Sequence, residues 1–240
     1  TSWSTSVWLN SYNVVPQNKF YLIQAFEDWN TSREIILKTW QMKMRKIVIS
    51  PWLQEIANSL NEETVLIENG LNQESFFITE HIEAKNKYSV TMMWHDNPLK
   101  GCSIGIEAFN LVKKVIPEFM VTLFGVPNCP SNLPPWIKYY QKPPKDLHRK
   151  LYNESAIFVG TSYSEGWGLT VGEAMLCGCA VACTDNQGYG VVAHDNETAL
   201  LSEVGDANAL ANNIIRLIND DDLRIRIASS GNELIKQYTW

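Results

Sequence analysis

Ala156-Ile157-Phe158-Val159, followed by Ser162-Tyr163-Ser164-Glu165-Gly166-Trp167-Gly168-Leu169-Thr170-Val171-Gly172-Glu173-Ala174, reads as an apolar strand, a glycine-containing loop and a helix opening at about Thr170. A strand that is apolar throughout is buried on both faces, as in a parallel sheet covered by helices. Ligands of such sheets bind at the carboxyl ends of the strands. Gly166 and Gly168 let the backbone approach a ligand closely. The helix start presents free N–H groups and a positive dipole end, which suits a phosphate. Glu165 in the loop and Glu173 in the first turn then face one cleft mouth, where both carboxylates can accept hydrogen bonds from sugar hydroxyls. Glu173 has a second reading. Thr170-x-x-Glu173 is also a capping box, in which Glu173 bonds the Thr170 backbone and nothing else. A carboxylate inside Ser-Glu-Gly-Trp-Gly has no comparable structural duty.

The strand–helix alternation extends in both directions and predicts an α/β fold with a parallel sheet. Strands are expected at Phe20–Ala25, Lys46–Ile49, Thr64–Ile67, Tyr88–Met93, Phe119–Phe124, Ile137–Tyr140, Ala156–Val159, Ala180–Cys183 and Ala199–Leu201. Helices are expected at Ser32–Met44, Pro51–Leu60 (Ser50 as N-cap), Ser103–Val115, Pro144–Tyr152, Thr170–Cys177, Ala207–Ile218 and Asp222–Gln237, with Gly178 as a C-cap. Asn72–Lys87 has no clean period and reads as a linker. The expected organisation is a partial domain over 1–71, a linker over 72–87 and a Rossmann-like domain over 88–240.

A second constellation follows the Tyr88 strand: His95-Asp96-Asn97-Pro98-Leu99-Lys100-Gly101. Lys100 is placed to neutralise a diphosphate, and Gly101 permits close approach. A solvated loop lysine is the commoner case for Lys-Gly alone. Gly125, at the end of the Phe119–Phe124 strand, is a third element of the same style.

The chain has 240 residues, and its formal net charge of −6 argues against a duplex nucleic-acid binder. No apolar run approaches the roughly 18 residues of a membrane span. The five cysteines form no C-x-x-C pair and read as small buried residues of a reducing cytosol, which points to a cytoplasmic protein. No metal or other cofactor is expected. No G-x-G-x-x-G follows the Tyr88 strand, which sets a dinucleotide oxidoreductase low. Ser32–Lys46 carries Arg33, Lys38, Lys43, Arg45 and Lys46 beside Ile35, Ile36, Trp40 and Met44. Packing on the sheet is the commoner role of such a face; peripheral contact with the inner face of a membrane is the alternative.

Glu165 and Glu173 form E-x7-E within S-x-x-E-G-W-G-L-x-x-x-E-A-M, with Lys100-Gly101 and Phe124-Gly125 upstream. From about Tyr88 to Trp240 this ordered set resembles the family-4 retaining glycosyltransferases. The resemblance implies the GT-B architecture, two Rossmann-like domains of which the carboxy-terminal one binds a nucleotide-sugar donor. Residues 1–71 resemble the end of the family's amino-terminal, acceptor-side domain, closest to members that build bacterial surface polysaccharides. By resemblance, Glu173 holds the ribose hydroxyls, Glu165 the transferred sugar and Lys100 the diphosphate. Gly166, Trp167, Gly168, Leu169 and Thr170 then line the donor, Gly101 and Gly125 allow its approach, and Tyr140-Gln141 edge the base.

The chain departs from the pattern where many members place an arginine before Lys-Gly; here Trp94 and His95 stand, and His95 is the candidate substitute. Asn186-Gln187-Gly188-Tyr189-Gly190 stands where Gly-Gly-x-x-Glu is common. The implied activity is retaining, hexosyl-type transfer from a nucleotide sugar to a glycan or lipid-linked acceptor in polysaccharide synthesis. The alternative is a module that binds the nucleotide sugar without transfer. Set against the family, the chain reads as a fragment, expected to be inactive alone and to self-associate.

Overall fold

The computed structural model describes Ser2–Trp240. The chain forms two compact units, Thr1–Asn69 with Glu165–Trp167, and Gly70–Ser164 with Gly168–Trp240.

The first unit holds three parallel strands, β1 (Phe20–Ile23), β2 (Arg45–Val48) and β3 (Thr64–Leu66), in that order across the sheet. Its helices are α1 (Trp3–Ser11), α2 (Arg33–Trp40) and α3 (Pro51–Ser59). Tyr21, Ile23, Ile36, Trp40, Val48 and Leu53 are buried and make its core. The expected Ser32–Met44 helix thus stops at Trp40. Of its apolar residues Ile36, Trp40 and Met44 are buried in the core, the Trp40 ring edge-on to Phe26, whereas Ile35 is exposed. Several of its cations are engaged locally: Lys38 with Glu34, Lys46 with Glu62, and Arg33 over the Phe26 ring. Ser50 sits at the N-cap of α3, but its buried hydroxyl caps nothing; Pro51 at the first position supplies the helix start.

The second unit is a six-stranded parallel sheet of β4 (Ser89–Trp94), β5 (Met120–Gly125), β6 (Ile137–Gln141), β7 (Ile157–Gly160), β8 (Ala180–Thr184) and β9 (Leu200–Ser202). Their order is β6-β5-β4-β7-β8-β9, all parallel. The chain enters at the centre, steps out to one edge, returns beside β4 and steps out to the other. This is the doubly wound order, and its reversal point lies between β4 and β7. The helices are α4 (Cys102–Val115), α5 (Lys145–Asn153), α6 (Leu169–Leu176), α7 (Ala207–Asn219) and α8 (Asp221–Ile235). Val90, Met92, Leu123, Ile157 and Val159 of the sheet share one core cluster with Phe109 and Val112 of α4 and with Leu210, Ile214 and Leu217 of α7. On α5, Tyr152 meets Phe124 and Phe158 edge-on.

Residues 72–87, expected to be a linker, belong to this second unit. Asn153 accepts from Thr79 N–H at 2.7 Å and donates to the Phe77 carbonyl at 3.0 Å. The buried Lys85 ammonium donates to the carbonyls of Tyr152, Ser155 and Cys177. Side-chain to backbone bonds of this kind order a segment without giving it a period. Gly178 ends α6 as expected: with φ +74, its N–H donates to Met175 and that of Cys179 to Ala174, a Schellman closure. Cys177 and Cys179 flank it as free, buried thiols. Among the described residues no helix is long and apolar enough to cross a membrane.

Candidate active site

The reversal point brings together the two loops singled out in the sequence. Tyr163 N–H donates to the Leu99 carbonyl at 2.8 Å, and the Thr161 hydroxyl to the Lys100 carbonyl at 2.7 Å. Gly101 has φ +60, and a Cβ there would stand 2.1 Å from the Thr161 oxygen. Only glycine lets the β4 loop lie this close to the β7 loop. Two helices start beside this seam, α4 after Gly101 and α6 after Gly168, and both caps are left-handed glycines without a side-chain capping bond. Their leading N–H groups and dipole ends give the site a positive character. Lys100 closes the short helical turn Pro98–Lys100 that leads into α4.

Next to the seam lies a cavity of about 360 Å³, lined by Met93, Trp94, His95, Phe124, Gly125, Val126, Lys142, Pro143, His148 and Thr170. Three of the residues expected at a donor site, His95, Gly125 and Thr170, therefore share one wall system. Gly125 is required by packing as well: a Cβ there would stand 2.2 Å from the Trp94 carbonyl oxygen. His95 Nδ1 accepts from Asn97 N–H at 2.9 Å, which fixes its ring. Lys142 has φ +44, and its N–H donates to the Gly125 carbonyl at 2.7 Å, so a left-handed residue folds the chain over the cavity.

A family model described as glycosyl transferases group 1 matches residues 73–234. The chain belongs to the glycosyl transferases group 1 family. Among curated relatives, it is 23% identical over 220 residues to a phosphatidyl-myo-inositol mannosyltransferase of Mycobacterium leprae, covering 85% of this chain and 58% of that protein. The chain thus spans little more than half of that relative. Among solved structures, TarM superposes with a TM-score of 0.82 at 21% identity, covering 99% of this chain and 51% of that one. Anabaena HepE, solved with UDP and glucose, gives 0.76 at 19% identity, covering 92% and 67%. The fold is thus the α/β fold with parallel sheets found in GT-B glycosyltransferases.

In this group 1 chain the second glutamate of E-x7-E is no capping residue. The α6 helix begins at Leu169 with Gly168 as its N-cap, so Thr170 is already inside it and the alternative capping-box reading does not hold. Glu173 lies in the second turn, beyond the first turn in which it was expected. Its carboxylate accepts from the Tyr152 hydroxyl at 3.3 Å. Burial raises its carboxyl to about 7, and the Tyr152 hydrogen bond offsets only part of that.

Glu165, Gly166 and Trp167 group with the first unit. A Cβ on Gly166 would stand 1.8 Å from the Gln24 carbonyl oxygen, and the Trp52 indole donates to the Gly166 carbonyl at 3.1 Å. Glu165 is half-buried, Trp167 is buried and Leu169 is exposed. Tyr140 and Gln141 do not line the cavity. Tyr140 lines a separate one of about 200 Å³ with Ser89, Met120 and Glu154, while the Gln141 amide donates to Asn128. The turn just after them, Lys142-Pro143, takes the cavity wall instead.

Two residues outside the expected set matter. Tyr189 lies in the segment that departs from the family pattern, and it is buried against both flanks of the β7–α6 loop. Its hydroxyl is 3.1 Å from Ser162 Oγ, and its ring meets Gly160 and Gly168. Asn186 and Thr184 hold the Ser162 carbonyl at 3.0 and 2.6 Å. The sequence signal was the aromatic residue between two glycines, which only the fold connects to Ser162. The second is His148 of α5, which stands in the cavity wall.

Proposed function

We propose that this chain is the donor-binding part of a retaining glycosyltransferase that takes a nucleoside-diphosphate sugar and passes a hexosyl group to a glycan or lipid-linked acceptor. The observation that carries this reading is the pair of glycine-capped helix starts beside Lys100, at the reversal point of a doubly wound sheet, next to a cavity of nucleoside size. A diphosphate is the anion that two helix N-termini and an ammonium group suit. The relatives' names fit the same chemistry: a mannosyl transfer in one, UDP with glucose in another.

In this reading the diphosphate is the leaving group, and the negative charge it gains is met by Lys100 and the two helix starts. Those groups are fixed before reaction, so no reorganisation is required as charge develops. Glu173 accepts from the ribose hydroxyls, with Tyr152 holding its carboxylate from behind. Glu165 takes the hydroxyls of the transferred sugar. Because the protein itself supplies the positive charge, donor binding is independent of a divalent ion.

The test is calorimetric titration with UDP, GDP and ADP in the presence of a chelator. Binding of at least one is expected, and Glu173→Ala should weaken it by roughly 1.5–3 kcal/mol, the scale of a lost hydrogen bond to a charged group. Binding that disappears with the chelator would overturn the metal-independent part. No binding of any nucleoside diphosphate, with or without a divalent ion, would overturn the whole reading.

A further inference from the structure

One polar atom beside the cavity has no hydrogen-bond partner. His148, on α5, lines the cavity, and its Nε2 is buried and unpartnered. The ring is packed among aromatics, 4.3 Å from Phe124, stacked on Tyr152 at 4.8 Å and edge-on to Phe76 at 5.4 Å. An apolar side chain would fill this position without leaving a buried nitrogen unsatisfied. Buried polar atoms are almost always paired, so an orphan in a cavity wall points to a partner that arrives with a ligand. Burial holds the imidazole down to about 4, so at neutral pH it is uncharged, with one ring nitrogen donating and the other accepting. A half-turn of the ring about Cβ–Cγ exchanges each nitrogen for a carbon, so either face can be offered without moving α5. The neighbouring walls, Met93, Trp94, Phe124, Val126 and Pro143, are apolar and suit a flat heterocycle.

We propose that His148 is a specificity-determining residue that reads the nucleobase of the donor through a hydrogen bond from its neutral imidazole. The proposal rests on the nucleotide-sugar reading of the site. It adds that the choice of base is made by a side chain of α5, while the charge of the diphosphate is met elsewhere, at the helix starts. A site built to hydrogen-bond a group discriminates against ligands that cannot return the bond, because its own polar atom is then left unpaired.

The experiment titrates UDP, GDP, ADP and inorganic pyrophosphate into the wild type, His148→Phe and His148→Gln. Phe keeps the aromatic packing and removes the nitrogen; Gln restores an amide in similar reach. Affinity for the preferred nucleoside diphosphate should fall about five- to tenfold in His148→Phe, the scale of one net hydrogen bond. The ranking of bases should flatten, pyrophosphate should bind all three proteins alike, and Gln should recover part of the loss. Should His148→Phe fail to fold, nitrogen-15 shifts of the wild-type imidazole on adding the preferred nucleotide give the same answer, with a change expected at His148. Unchanged affinity and ranking in His148→Phe, or an unmoved imidazole signal, would reduce His148 to packing and leave the nucleotide reading intact. A wild type that binds pyrophosphate but no nucleoside preferentially would overturn this proposal alone, and one that binds none of the nucleotides would overturn both.

Discussion

Glu173 shows how far position alters a residue's chemistry. Three residues after Thr170 it has the spacing of a cap, yet the left-handed Gly168 starts the helix early and carries the carboxylate past the first turn. There it meets Tyr152 and little water, and desolvation lifts its carboxyl from 4.5 to about 7. A carboxyl raised in the fold keeps a proton that the unfolded chain has already released. Its stabilising contribution is therefore fully present below the unfolded value and is lost as pH rises through about 7. His148 acts with the opposite sign. Its folded value of about 4 lies below the ordinary 6.5, so its contribution is lost as pH falls through that window. The two slopes oppose each other over nearly the same range, and the wild type should look flat there. Glu173→Gln should unmask the His148 slope. In urea unfolding at stepped pH, the stability of wild type minus variant should drop by on the order of 2–3 kcal/mol between about pH 4 and pH 8. A difference that does not change with pH would mean that the native carboxyl ionises as easily as the unfolded one.

At the scale of elements, the β7–α6 loop is held at its two ends. Ser162 is fixed by Thr184, Asn186 and Tyr189, and Gly168 rests on the Tyr189 ring. Tyr189→Phe removes only the hydroxyl contact and should cost about 1 kcal/mol in thermal unfolding, whereas Tyr189→Ala opens a cavity behind both glycines and should cost roughly 3–5 kcal/mol. Equal losses in the two variants would show that the ring does not support the loop. The elements that frame this loop were legible in the sequence because apolar runs and glycine stops mark buried parallel strands. All nine expected strands occur, displaced by a residue or so. What was not legible depended on contacts without a period. The α1 helix was missed because its cap is Ser2 with Thr5, exchanging bonds at 3.3 and 2.9 Å, rather than the usual acidic partner, and because Val7 and Trp8 are exposed instead of marking a buried face. Residues 72–87 were read as a linker because Asn153 and Lys85, which anchor them, are remote or unremarkable in sequence. The site divides in the same way: Lys100, Gly101 and the E-x7-E residues are motif positions, whereas His148 and Tyr189 gain their places only when α5 and the turn after β8 fold onto the sheet.

At the scale of the molecule, two cores mean that ligand and stability need not be shared evenly. The large doubly wound sheet contains the seam, the cavity and both glycine-capped helix starts, while the three-stranded sheet has its own buried set around Trp40 and Leu53. A ligand that binds only the native state stabilises what it binds by RT ln(1 + [L]/Kd), about 2.7 kcal/mol at one hundred times Kd. If the diphosphate sits at the helix starts and the base in the cavity, that stabilisation belongs to the second unit. Amide hydrogen exchange reports it region by region, since each segment exchanges through its own opening reaction. With a saturating nucleoside diphosphate, slower exchange is expected at 93–105, 124–126, 142–148 and 168–173. The strands β1, β2 and β3 should exchange at their ligand-free rates, because they belong to the first unit and pack on its own core. Protection that appears first in β1–β3, or that leaves 93–105 unchanged, would place the nucleotide elsewhere and sink the assignment of the diphosphate to the two helix starts.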